Sequence, residues 1–264
     1  MKRATKDLKI VGLLLLLTIV FLLSFNVAYS YFTTVRGVGG DLDFYNLDVK
    51  FTYTETNGSQ TLTVQNQKQL FPAKEFTRNV AVGLKPSASA SSPVYNLGIK
   101  STSDSCSAYV RFYLEVYVTK SFSNGVNCYI DSNGNYISED GKYYNEAGSE
   151  IAASEVTPGI IVDYAEYFEL GRLSGNAYSY SGNITRQVKN VNGKNYVAYF
   201  YNSKINRNES RFLNINAIKM LSTAPNELLD SDVVVFISLE GVQATNGAYK
   251  SVFNDNYGYY NWES

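Results

Sequence analysis

Between residues 108 and 119 the chain alternates without a break. Ala108, Val110, Phe112, Leu114, Val116 and Val118 hold one parity, and Tyr109, Arg111, Tyr113, Glu115, Tyr117 and Thr119 hold the other. Alternation sustained over that length predicts a β-strand with one buried face. The same period recurs in Val49, Phe51 and Tyr53, set against Asp48, Lys50 and Thr52, and again in Val80, Val82 and Leu84. Residues 233–239 are apolar on both parities, which predicts a central strand. Asn192-Gly193 lies between the runs 188–191 and 196–201, the signature of a type I′ hairpin. Asn57-Gly58 and Asn133-Gly134 predict further turns.

Helical spacing is scarce. Residues 217–221 and 226–229 read as short helices, each limited by Pro225. Residues 86–93, rich in Ser and Ala and bounded by Pro86 and Pro93, read as a loop. Residues 121–142, rich in Gly, Asn, Asp and Ser, read as an insertion or a long hairpin, within a wider insertion around 121–177. No internal repeat and no second-domain linker is evident. Short strands, one-sided burial and little helix predict an all-β fold, an antiparallel β-sandwich over residues 31–264 with short helices in its connections.

The first 30 residues follow different rules. Lys2, Arg3, Lys6 and Lys9 precede an apolar run from Ile10 to Leu23, and no charge follows until Arg36. About 18 apolar residues in a helix span roughly 27 Å, enough for a bilayer core. The basic flank would stay inside and send the rest of the chain out. Ala28 and Ser30 supply the small residues a signal peptidase needs, with Tyr31 as the first mature residue. A cleaved signal gives a secreted protein, and an uncleaved one a surface domain on a single N-terminal anchor. In either case the membrane is a partner of the N-terminus, at least until cleavage. No cysteine follows the apolar run to carry a lipid, and residues 259–264 form no hydrophobic tail.

Composition narrows the chemistry. Among 264 residues there are 23 Tyr, 14 Phe, one Trp and no His. Tyrosine suits a pleated face that keeps its hydroxyls wet. The lack of His removes Ser-His-Asp and Cys-His nucleophiles and the H-E-x-x-H zinc helix. Four of the 23 basic and one of the 24 acidic side chains lie in the first 30 residues, so the remainder carries a net charge of −4. No run of five or more Lys/Arg offers the stripe that nucleic acid requires. Cys106 and Cys128 are disulfide candidates in an exported chain, and two unpaired thiols are the alternative. Asp131, Asn133 and Asn135 alternate like the start of a calcium loop, but the Gly and Glu of an EF-hand are misplaced, so a turn is the better reading. Asp163, Glu166 and Glu169 could pair as carboxylates or line a solvated face. No cofactor is indicated. The tyrosines of 108–119 would either bind glycans or a partner sheet, or stabilise their own sheet by cross-strand pairing.

Four segments, taken in order, resemble the TasA/camelysin family. Tyr29-Ser30-Tyr31-Phe32-Thr33-Thr34 is similar to the family's junction of signal and mature chain. Leu70-Phe71-Pro72, Val80-Ala81-Val82 and Ala108-Tyr109-Val110-Arg111 resemble its central stretch. Tyr199-Phe200-Tyr201, Asn208-Glu209-Ser210 and Phe212 resemble a later strand and turn. Residues 235–244, ending Glu240-Gly241-Val242-Gln243-Ala244, resemble the closing strand, with Trp262 near the C-terminus. Ala73 and Asn208 stand where the family has Gly, and the loop around Cys106 lacks its usual Asn-x-Gly.

The resemblance implies a jelly-roll-like sandwich behind an N-terminal hydrophobic export helix, released by a dedicated signal peptidase. It further implies an extracellular, bacterial biofilm-type fibre subunit that associates with itself or with other matrix proteins. Assembly would place an extended N-terminal segment, here residues 31–43 with Tyr31, Phe32, Val35, Val38 and Leu42, against the sheet edge of the next subunit. Gly37, Gly39 and Gly40 would give that segment its freedom; an ordinary first strand is the alternative. A membrane-anchored adhesin is the second functional expectation. A camelysin-like metallopeptidase is the third, and it would have to build its metal site from Asp, Glu and Cys alone.

Overall fold

A computed structural model describes residues 47–55, 58–61, 67–72, 76–85, 96–102, 105–180, 182–229, 231–244 and 247–262. The strands are β1 (Val49–Glu55), β2 (Gly58–Thr61), β3 (Gln67–Pro72), β4 (Ala81–Lys85), β5 (Asn96–Ser101) and β6 (Ala108–Ser121). A run of short strands follows: β7 (Asn127–Ile130), β8 (Tyr136–Ser138), β9 (Tyr143–Tyr144) and β10 (Glu150–Ile151). Then come β11 (Phe168–Ser174), β12 (Ala177–Ser179), β13 (Ile184–Val191), β14 (Lys194–Tyr201), β15 (Ser210–Ile215), β16 (Ala217–Met220) and β17 (Asp232–Gln243). Three 3-10 turns (Ala153–Glu155, Ala165–Tyr167, Asn226–Leu228) and one helix, α1 (Ala248–Val252), complete the described elements. The export segment 1–30 and the loop 86–93 lie outside the described residues.

The spine is the antiparallel pair β6 and β17, in register from Gln243↔Ala108 to Asp232↔Thr119. Strand β14 joins the other flank of β6, β13 lies outside β14, and β3 lies outside β17. The residues apolar on both parities, 233–239, are thus in a central strand, as their composition predicts. Strands β15, β5, β1 and β2 form a second sheet. Strand β15 runs through Asn216 into β16, which is held between β4 and β11. The β3–β4 pairing hands one layer over to the other.

Between the layers lies one core. Val110, Phe112, Leu114 and Val116 of β6, with Val235 and Ile237 of β17 and Val197 and Tyr199 of β14, meet Leu97, Ile99, Leu213, Ile215, Ile218, Met220, Phe168 and Leu170. Register explains the match. Val116, Leu114 and Phe112 stand directly opposite Val235, Ile237 and Leu239, so consecutive apolar rows fall on one face. The chain is therefore all-β with antiparallel sheets. The expected helix over 217–221 is corrected: residues 217–220 form β16. Its Ala, Lys and Met favour a helix in isolation, but pairing with β4 and β11 and full burial of Ala217, Ile218 and Met220 override that preference. The second expected helix shrinks to the 3-10 turn at Asn226–Leu228.

The expected insertion begins as a ladder. Past residue 118 strand β6 leaves the core and pairs with β7, and β8, β9 and β10 follow as successive antiparallel rungs. Four five-residue turns connect them, at 122–126, 131–135, 138–142 and 145–149. In each, the first N–H bonds the fifth carbonyl, and the fourth residue is a glycine whose N–H returns to the first carbonyl. Those glycines, Gly125, Gly134, Gly141 and Gly148, all hold φ between 78° and 86°, where a Cβ is costly. An internal repeat thus exists where none is evident in the sequence. It repeats a backbone path and one glycine, while its other side chains vary.

Candidate functional site

The expected signal residues Ala28, Ser30 and Tyr31, and the donor residues Phe32, Val35, Val38 and Leu42, lie outside the described residues. Cys106 and Cys128 do not meet. Cys106 precedes β6, while Cys128 stands opposite Lys120 near the far end of that strand, and both are free thiols. Twelve strand residues separate the two sites by roughly 40 Å, against the ~7 Å limit of a disulfide. Burial pushes both thiols above their ordinary pKa, which makes them poor nucleophiles.

Asp131 heads a turn rather than a calcium loop. One carboxylate oxygen accepts the N–H groups of Asn133 (2.9 Å) and Asn135 (2.8 Å); the other accepts Gly159 N–H at 2.6 Å and the Asn135 side chain at 2.9 Å. Burial raises its pKa, but these donors outweigh burial and hold it below the usual value. Both oxygens are occupied by N–H groups. The same contacts brace loop 157–161, which presents Ile160 at 72 % exposure. A Cβ at Gly159 would stand 2.7 Å from the Asp131 carboxyl carbon, so only glycine fits there.

The three carboxylates grouped in the sequence go separate ways. Glu166 accepts Asn195 Nδ2 at 2.5 Å, and Glu169 accepts the Tyr178 hydroxyl at 2.9 Å. Asp163 sits where the β14–β6 pairing ends and the β6 edge would stand open. Its Oδ1 accepts Val116 N–H and Ala165 N–H, each at 3.0 Å. Burial pushes its pKa up to about 6 against those two donors, with the Glu115 charge adding to the rise. Among the described residues no group of three Cys, Asp or Glu is placed to hold a metal ion.

The outer face of β6 is where the tyrosines gather, and the C-terminal segment 248–262 crosses it as a strap. Arg111, buried at 1 %, anchors the strap: its guanidinium bonds Glu240 of β17 (2.6 Å), Asp255 and the Gly258 carbonyl (2.7 Å), and lies 4.2 Å from the Phe253 ring. Burial disfavours its charge, yet Asp255 and Glu240 hold its pKa above the ordinary value. Trp262 stacks on Tyr109 with centroids 4.6 Å apart, and its Nε1 donates to the Tyr201 carbonyl at 2.8 Å. Tyr257 stacks on Tyr113 at 4.3 Å. Burial first, then the charges of Glu240 and Glu115, raise Tyr113 to about 12. So Tyr109 and Tyr113, expected to be wet, are half-covered by the strap. Tyr117 beyond it meets Tyr129 and Phe236 edge-on and donates to Glu115 at 3.0 Å. Sequence reasoning missed the strap. Its only signal was aromatic density without strand period: Tyr249, Phe253, Tyr257, Tyr259, Tyr260 and Trp262.

Strand β13 makes the outer edge of the main sheet. Asn192 and Gly193 at φ 52° and 83° form the expected two-residue turn, and Val191 pairs with Lys194. Antiparallel alternation from that pair turns the backbone N–H and C=O of residues 185, 187 and 189 toward β14, and those of 184, 186, 188 and 190 outward. The Tyr180 hydroxyl reaches the backbone of Arg186. No other described strand pairs with this edge. Among the described residues no helix is long and apolar enough to cross a membrane. No protein-family model, curated protein or solved structure matches the chain.

Proposed function

We propose that the chain is an exported structural subunit of an extracellular matrix, with a jelly-roll-like sandwich, assembling by strand complementation. The observation that carries this reading is the outer edge of β13, eight residues long, with alternate peptide groups directed away from its own sheet. An extended peptide satisfies such groups with main-chain hydrogen bonds and gains affinity with little demand on side chains. Residues 31–43 of a neighbouring copy are the proposed donor.

The test is assembly of protein starting at Tyr31, followed by sedimentation and electron microscopy. Val188→Pro removes an outward N–H and leaves the β13–β14 ladder whole, so it should abolish fibres while the monomer stays folded. Fibres of unchanged length and yield in that variant would overturn the reading. A second reading, a surface adhesin held by an uncleaved N-terminal anchor, draws support from the half-exposed Tyr117, Tyr129 and Phe236 beyond the strap. Intact mass and N-terminal sequencing of protein recovered from the producing cell separate the two. A chain beginning at Tyr31 in large particles supports the fibre, and an uncut chain in the membrane fraction supports the adhesin.

A further inference from the structure

One carboxylate on the outer face is ringed by aromatic side chains. Glu115 has Tyr113 and Tyr117 two residues to either side on its own strand, hence on its own face. Across the sheet, Phe236 of β17 stands directly opposite Glu115. On the other flank the β14 pairing ends at Val197↔Leu114, and Tyr196, the residue before Val197, keeps its side chain on this outer face. Neighbouring strands lie ~4.8 Å apart and same-face residues along a strand ~6.6 Å apart, so Tyr113, Tyr117 and Phe236 start within a side chain's reach of the carboxylate. The strap adds Tyr257, stacked on Tyr113 and edge-on to Tyr196 at 5.1 Å. Every one of these side chains is half-buried and so reachable from solvent. Asp163 is close enough for its charge to be felt by both Tyr117 and Tyr257.

We propose that this aromatic box, floored by Glu115, binds an alkylammonium group. Ring faces carry negative potential, and aromatic side chains gathered near one carboxylate suit a large, weakly hydrated cation. An anion would face Glu115, Glu240 and Asp163 together. A second observation points the same way: the chain's own Lys194 ammonium lies 4.9 Å from the Tyr196 ring centroid, at the rim of the box. An ammonium is therefore already attracted to one wall, and it is exposed and able to swing aside. The box is complete within a single chain, so the proposal does not depend on fibre assembly.

The probe is tetramethylammonium, titrated into monomeric Val188→Pro protein with 13C-labelled tyrosine rings and followed by NMR. Saturable shifts of Tyr113, Tyr117, Tyr196 and Tyr257 are expected, with a dissociation constant on the order of millimolar. tert-Butanol, similar in size but neutral, should leave those rings unshifted. Glu115→Gln keeps an acceptor for the Tyr117 hydroxyl and should weaken binding about fivefold, the worth of one solvent-exposed charge pair. Lys194→Gln removes the resident ammonium and should strengthen binding severalfold. Emission of Trp262, unchanged in each variant, reports an intact strap. Methylammonium binding more tightly than tetramethylammonium would assign the site to a lysine-type primary amine, and the reverse order to a quaternary one. Absence of saturable shifts in both the parent and Lys194→Gln, equal shifts with tert-butanol, or unaltered affinity in Glu115→Gln would overturn the proposal.

Discussion

Strand β6 belongs to two regions built on different principles. Its first eleven residues lie in the sandwich, where partners are far away in sequence: Val116 meets Val235, and Leu114 meets both Ile237 and Val197. Its last three enter the ladder, where each rung pairs only with its neighbours in sequence. The sandwich holds by burial between two layers. The ladder has no second layer among the strands that pair with it, and its order comes from turns closed by glycines and by the side chains of Asp131, Ser138 and Asn145. One strand can thus carry a cooperative core at one end and a chain of locally specified hairpins at the other. Damage to the first should be global, and damage to the second should stay local.

The sharpest way to break the comparison is in the core. Phe112→Ala removes a fully buried ring that stacks on Tyr199 at 5.2 Å. It should cost about 4 kcal/mol, lowering the denaturation midpoint of every probe together. Ile137→Ala on a ladder rung should cost under about 1 kcal/mol and leave that midpoint nearly unmoved.

Next in size is the anchor of the strap. Arg111→Met removes a buried cation whose partners Glu240 and Asp255 keep 39 % and 42 % side-chain exposure. Water can take up the orphaned carboxylates, so the loss should be about 2 kcal/mol, below the full cost of breaking a buried pair. Trp262, the only tryptophan, should shift its emission to the red as the strap loosens.

Asp163 tests the seam where the two regions join. Its folded pKa of about 6 stands above the ordinary 3.8, so between those values the folded chain holds a proton that the unfolded chain has released. Stability from this group is therefore greatest below that window and falls as pH rises through it. Asp163→Asn keeps an oxygen for Val116 and Ala165. Relative to the parent it should gain about 2 kcal/mol between pH 4 and pH 7, read from paired denaturant titrations.

The smallest effect belongs to a turn. Gly134→Ala, at φ 81°, should cost about 1 kcal/mol. Faster amide exchange confined to 127–138, with the core unaffected, would sharpen the comparison. Exchange that accelerated throughout β14 and β17 would break it.

The sequence was readable where pattern and environment agree. The alternation of 108–119, the two-sided apolar run of 233–239 and the Asn192-Gly193 turn all report their own surroundings, so β6, β17 and the β13–β14 hairpin follow directly. Residues 217–220 were misread because helix-forming side chains are used in a buried strand, and only partners from β4 and β11 reveal it. The strap was invisible for a related reason. Arg111 needs Asp255 and Gly258, more than 140 residues away, and no local period announces such a contact. The aromatic box shares that difficulty, since Glu115 acquires Phe236 and Tyr196 only once the register is set.

The ladder has a mechanical consequence. A load along the long strands of the sandwich pulls its hydrogen bonds in shear, so they share the force. A load drawn across the ladder meets one short rung at a time and unzips it. Its last three turns recur every seven residues, so each opening would release roughly 23 Å of chain. Under tension across its rungs the ladder would therefore lengthen in small steps before the sandwich beside it yields.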